Sequence, residues 1–249
     1  MGGVSTPRRP DRAAGPTSLG DRLWYVAYGS NLHAARLACY LGGGVPPGGT
    51  VAHVGCRDPR PPERSLPVML PGCLYFATRS PRWGGGRAFH DPDATGETAA
   101  RAYLLTRSQF SDIAAQEMYR APGSGRDLDL TEVVAAGRAS VGPGRYETLV
   151  CPGALDGLPM VTFTAPWRVG ELPPLAPSAP YLRHLAAGLR EAHGWSAARA
   201  ARYLAACSGA AGHWAEPDIA ALLTAPEEAG AGPASVADAG PPRAGPLPR

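Results

Sequence analysis

Two short stretches of this 249-residue chain carry side chains that could do chemistry. The first ends at Glu117. Residues 107–119 read as a helix. Thr106 and Gln109 are spaced as a capping box, and Leu105 and Phe110 as the hydrophobic staple beside it, which fixes the helical register. The apolar stripe is then Phe110, Ile113, Ala114 and position 117, with Arg107, Asp112 and Gln116 on the opposite face. Glu117 therefore points toward the core side. A carboxyl placed there either carries a desolvation cost or takes a proton. That suits a general acid/base working near neutral pH. The plainer alternative is that Glu117, at the helix end, turns to solvent or pairs with Arg120.

The second stretch is Tyr28-Gly29-Ser30-Asn31-Leu32, which joins a β-rich run, Leu23-Trp24-Tyr25-Val26-Ala27-Tyr28, to a helix over about 31–41. Gly29 permits close backbone approach or a positive φ. Ser30 or Asn31 can cap the helix. Free N–H groups at such a junction, with the helix dipole, favour a carboxylate or phosphate. An ordinary turn with an N-cap is the plain reading.

Other constellations carry less. The six histidines (His33, His53, His90, His184, His193, His213) show no H-x-H or H-E-x-x-H spacing, so no metal site is read. No G-x-S-x-G surrounds Ser30, which argues for capping over nucleophilic attack. Trp83-Gly84-Gly85-Gly86-Arg87 lacks G-x-G-x-x-G and reads as a tight turn, with a backbone wall beside a ligand as the alternative. Arg57 and Asp58, in a Pro-rich loop, read as an ion pair holding that loop. The chain has no lysine, so Schiff-base and pyridoxal-phosphate chemistry and a standard P-loop are excluded.

The elements that must position these residues follow from periodicity. Leu32, Ala35 and Cys39 mark the first helix, which Gly42-Gly43-Gly44 stops. Residues 43–66 read as loop. Strands are expected near 67–70, 73–78, 86–90 and 98–105, then 131–136, 146–151 and 159–164. Ser178 and Ser196 read as N-caps of two later helices, and Ile219, Leu222 and Leu223 mark a short last one. Strands first and helices last give an α+β class.

Gly 32 and Pro 28 make up about a quarter of the chain and crowd its ends. Residues 1–20 therefore read as a disordered leader, 21–224 as a single domain and 225–249 as a disordered Pro/Gly/Ala tail. Gly2 with Thr6 formally matches a myristoylation pattern, which a Gly-rich leader gives by chance. A net charge of +3 gives no reason to expect nucleic acid. Five scattered cysteines without C-x-x-C fit a reducing compartment. No signal peptide and no membrane-length apolar run is read, so a cytoplasmic location is expected.

A Y-G-S-N-L loop after an N-terminal strand, followed by a glutamate closing a mid-chain helix (Gln116-Glu117), resembles the γ-glutamylcyclotransferase-like family over about residues 23–192. The resemblance implies a small mixed, barrel-like sheet with helices around it. It implies that Tyr28, Gly29, Ser30, Asn31 and Leu32 hold a γ-glutamyl group and that Glu117 is catalytic. Pro177-Ser178-Ala179-Pro180-Tyr181 is similar to a later family segment and places Tyr181 in the site. Met118-Tyr119 is similar to a Met-Tyr pair found further on in the family and adds Tyr119. The sequence departs from the family at Ala114, where an acid is common, and at Met118, where Gly is common. Y-G-S-N rather than Y-G-S-L argues against the glutathione-specific branch. The implied reaction needs no cofactor and releases 5-oxoproline and an amine from a γ-glutamyl amide. Two alternatives stay open: a small-molecule binding module without turnover, and an amide hydrolase using the same pocket.

Overall fold

A computed structural model describes residues 6–12, 20–49 and 51–224. The tail read at 225–249 and much of the leader lie outside the described residues.

Strand β1 (Arg22–Ala27) organises the molecule. From Leu23 onward its residues are apolar without alternation, the pattern of a strand covered on both faces. Trp24 and Val26 face one core, and Leu23, Tyr25 and Ala27 face another. On its flanks lie β5 (Glu97–Thr106), antiparallel, and β8 (Leu158–Thr164), parallel. Adding β2 (Arg64–Pro71), β6 (Arg138–Ser140) and β7 (Thr148–Leu155) gives a six-stranded mixed sheet in the order β2-β5-β1-β8-β7-β6. A hairpin of β3 (Cys73–Arg79) and β4 (Gly86–Asp91) forms a second sheet. Thr164 ties it to the end of β8, accepting from the His90 N–H at 3.1 Å and donating to the His90 carbonyl at 2.7 Å. The class is α+β with a mixed central sheet, as expected.

Helices α4 (Ala179–His193), α5 (Ala197–Ala205) and α6 (Glu216–Leu222) close the Trp24 core. Helices α1 (Ala34–Gly42) and α2 (Arg107–Glu117) pack on the Tyr25 core. Helix α4 touches the loop after β1 at Gly188. A Cβ there would stand 2.5 Å from Leu32 Cβ and 2.6 Å from the His33 amide nitrogen. Helix propensity alone would reward Gly188→Ala by about 1 kcal/mol. The clash is against backbone and costs about 1–3 kcal/mol. A net fall in melting temperature is therefore expected for Gly188→Ala, read by thermal unfolding.

The structure corrects several expectations. Residues 131–136 are not a strand but helix α3 (Thr131–Ala136). The Asp129 carboxylate accepts from the Thr131 N–H at 2.9 Å, and Gly137 closes the helix in the left-handed conformation. Local capping here overrides the β-branched pair Val133-Val134. The helix expected over 31–41 is a 3-10 turn (Ser30–Leu32) followed by α1, whose buried face is Arg36, Leu37, Tyr40 and Leu41. Within the leader, Arg8 and Asp11 bridge to Val68 of β2 and Ala154 of β7, so that part of the segment lies along the large sheet. All five cysteines are free thiols.

Candidate active site

The candidate cleft opens at the C-terminal end of β1. Glu117 reaches it because α2 runs in the predicted register. Thr106 Oγ1 accepts from the Gln109 N–H, and Gln109 Oε1 accepts from the Thr106 N–H, both at 3.0 Å. Counting from that cap puts Glu117 on the last turn, facing the loop. There Asn31 Nδ2 donates to Glu117 Oε1 at 3.3 Å and to Tyr25 Oη at 3.2 Å. Arg120 does not pair with Glu117; its partner is Glu147.

The opposite face of α2 is not the exposed face that the sequence suggests. Asp112 is 1% exposed. It accepts from the backbone N–H groups of Arg57 (2.9 Å) and Gly123 (3.1 Å), and pairs with the Arg57 guanidinium at 3.0 Å. The ion pair expected between Arg57 and Asp58 is absent. Arg57 serves Asp112 and Asp127, and Asp58 serves Arg60.

The loop residues divide their work. Tyr28 lines the cleft, but its hydroxyl donates to the Phe163 carbonyl at 2.8 Å. Gly29 has φ −95°, so no positive φ calls for glycine here, and a Cβ would stand in ordinary contact, 3.4 Å from Tyr181 Oη. Neither Ser30 nor Asn31 caps α1, whose N-cap is His33. Ser30 Oγ instead accepts from Arg36 Nε at 2.7 Å. The N–H groups of Ser30 and Asn31 head the 3-10 turn and have no acceptor within it. Tyr103 Oη donates to the Asn31 carbonyl at 2.8 Å and pins the turn from below.

Seven of the eight residues singled out from the sequence line this one cleft: Tyr28, Gly29, Ser30, Asn31, Glu117, Tyr119 and Tyr181. Leu32 does not. It is buried in the Trp24 core and anchors the turn against α4. Tyr119 follows α2 with φ +56°, is 63% exposed and sits under the Arg145 guanidinium at 4.6 Å, at the lip.

Sequence reasoning missed Arg36, Tyr40, Arg82 and Tyr146, all of which line the cleft. Arg36 had the same signal as Glu117, a charge on an apolar helical stripe. The spacing of Leu32, Ala35 and Cys39 points to one face of the helix, whereas the buried face is Arg36, Leu37, Tyr40 and Leu41. Trp83 and Arg87 also line the cleft. The glycines between them let the chain lie against the 175–178 backbone, where a Cβ on Gly86 would stand 2.0 Å from the Leu175 carbonyl oxygen. The Trp83–Arg87 turn is therefore also a wall of the site.

Among the described residues, Arg36, Arg82 and Arg87 share the cleft lining with one carboxylate, Glu117. A cleft so charged attracts an anionic ligand. Burial, then the nearby Glu117 charge, raises the Tyr25 and Tyr40 hydroxyls well above the ordinary phenol range. Burial pushes Tyr181 up to about 12. These phenols stay protonated around Glu117. Size does not select this site. The cleft holds about 690 Å³ counted to its open mouth, against about 1130 and 1160 Å³ for two surface hollows elsewhere. What sets it apart is the convergence of a carboxylate, a guanidinium and unpaired buried polar atoms.

Two histidines stand behind the arginines. His53, beside Arg82, and His184, against Trp83, are both lowered to about 4 by burial first and then by the neighbouring arginine charges. Folded histidines that resist protonation bind fewer protons than the unfolded chain below its value near 6.5. Stability is therefore complete above pH 6.5 and is expected to fall as pH drops from about 6.5 toward 4. A melting-temperature series should show this, and His53→Asn/His184→Asn should reduce the slope, the remainder coming from His90 and His193, which burial also lowers.

Comparison with known proteins adds the following. No protein-family model matches the chain. A curated relative, Histone deacetylase 5 from Arabidopsis thaliana, is 31% identical over 204 residues, 73% of this chain. The chain spans only 30% of that protein's length, and the name describes the whole of it. Among solved structures, an uncharacterized protein from Homo sapiens has a TM-score of 0.40 at 16% identity, covering 70% of this chain and 81% of its own. A structure named gamma-glutamyl cyclotransferase has a TM-score of 0.40 at 14% identity, covering 82% and 99%. YkqA from Bacillus subtilis reaches 0.32 at 14% identity, covering 69% and 49%. Each is a low-score likeness. Among the described residues no helix is long and apolar enough to cross a membrane, and no three His, Cys, Asp or Glu side chains gather as a metal site.

Proposed function

We propose that the chain is a γ-glutamylcyclotransferase-like enzyme that converts a γ-glutamyl amide to 5-oxoproline and a free amine. The observation that carries this reading is the Glu117 carboxylate 3.3 Å from Asn31, where the helix-end acid meets the Tyr28–Asn31 loop in one cleft.

The substrate supplies the nucleophile. Its α-amine attacks its own γ-carbonyl carbon, forming the lactam C–N bond as the bond to the departing amine breaks. Glu117 takes a proton from the α-amine and passes it to the leaving nitrogen. From an α-ammonium substrate, one hydrogen stays on the lactam nitrogen and two end on the departing amine. The N–H groups of Ser30 and Asn31 stabilise the developing oxyanion. The cleft walls hold the substrate folded, which supplies the proximity contribution. The acting species is a small-molecule amide, with no cofactor in the reaction.

Product mass spectrometry tests the reading. Purified protein is incubated with γ-glutamyl amines and amino acids, each also with its α-amine acylated. 5-Oxoproline from the free-amine substrates alone is the expected result. Glutamate release that survives acylation would replace cyclisation by hydrolysis. No product from any member would remove the enzymatic reading.

A further inference from the structure

Two buried side chains in the cleft are left with unused hydrogen-bonding atoms of opposite kind. Arg36 is 2% exposed, and its Nη1 has no partner among the described residues. Asn31 is 4% exposed, and its Oδ1 has none either. Both residues line the cleft that holds Glu117. A buried guanidinium donor without an anion is costly, and so is a buried amide acceptor without a donor.

Both atoms are fixed in place. The Arg36 guanidinium lies 4.9 Å from the Trp83 ring and 5.5 Å from the Tyr40 ring, and its Nε is committed to Ser30. It cannot swing away to solvent. Asn31 commits both amide hydrogens to Tyr25 and Glu117. Its Oδ1 is therefore left as a pure acceptor next to the carboxylate.

We propose that this donor–acceptor pair is a receptor for the zwitterionic head of an α-amino acid, with Arg36 Nη1 taking the α-carboxylate and Asn31 Oδ1 taking the α-amine. The assignment gives Asn31 a second duty: it holds the amine within reach of Glu117, the group to which that amine must lose a proton. It also sets a substrate requirement, that both head groups be free. The proposal rests on the cyclisation reading only for the γ-amide arm of the ligand; the head-group receptor is independent of turnover.

The test pairs changes in ligand with changes in protein. Binding is measured by calorimetry in full-length Glu117→Gln protein, using γ-L-glutamyl methylamide, its α-carboxamide and its deamino analogue. Loss of either head group should weaken binding about tenfold or more, the usual scale for a hydrogen bond to a charged group. Arg36→Met should lose the preference for carboxylate over carboxamide while keeping the preference for the amine. Asn31→Ala should do the reverse. If Arg36→Met fails to fold by circular dichroism, Arg36→Lys replaces it and should blunt the carboxylate preference alone. Preferences that persist unchanged in these variants overturn the receptor, as does parent protein that binds all three ligands equally or none of them. If the preferences follow the variants while wild-type protein forms no 5-oxoproline, the receptor stands and the cyclisation reading falls.

Discussion

Glu117→Gln is expected to lower kcat on γ-glutamyl amides by about 10²- to 10⁴-fold, the contribution of a positioned general acid/base. The substitution preserves shape. A glutamine at the end of α2 keeps an oxygen that can accept from Asn31 Nδ2, and it leaves Arg120–Glu147 untouched. It removes only the capacity to take up and return a proton. Melting temperature and KM should therefore change little while kcat collapses. Steady-state kinetics beside a thermal melt separate the two. A fully active variant would sink the mechanism, because among the described residues no other carboxylate lines the cleft.

The largest expected effect on stability is at Asp112, which does not line the cleft. Asp112→Ala leaves two backbone N–H groups, of Arg57 and Gly123, without their acceptor and strips Arg57 of its buried partner. Hydrogen bonds to a charged group contribute about 1.5–3 kcal/mol each and do not add fully, so a loss of about 3 kcal/mol is expected. In a domain of this size that corresponds to roughly 6–12 °C in melting temperature. The Arg57 guanidinium is half in water and retains Asp127, which limits the loss from the ion pair itself. Urea unfolding of Asp112→Ala and Asp112→Asn checks this, with the Asn variant losing less because it keeps one acceptor. A change below about 1 kcal/mol in the Ala variant would show that the 56–60 and 120–127 loops do not depend on Asp112.

Glu117 was legible because a short-range device, the Thr106–Gln109 box, fixes the phase of its helix. Arg36 was not, because α1 has no side-chain cap to set its phase and begins only after a 3-10 turn. The burial of Asp112 is also beyond local pattern. Periodicity says which residues share a face, whereas the cover on this face comes from loops that fold back from both sides in sequence. The α+β class was readable from the order of elements. The parallel pairing of β1 with β8 was not, since nothing local in either strand names its partner. Tyr119 entered through a resemblance, and its position at the lip depends on a left-handed backbone that few non-glycine residues adopt.

The central place of β1 also bears on how the site is assembled in time. Its neighbours β5 and β8 lie far along the chain, and the hydrogen bond from Tyr28 to Phe163 spans 135 positions. Contacts of such long range are slow to form, because loop closure must come before any gain from pairing. During synthesis the apolar run Leu23–Tyr28 can pair along one edge once β5 has been made, but its other edge waits until residues 158–164 have been made. A fragment that stops short of β8 leaves the Tyr28 hydroxyl and the Val26 carbonyl without the Phe163 and Thr162 partners that seat the loop. The cleft is thus complete only once β8, the last strand of the sheet in sequence, has docked.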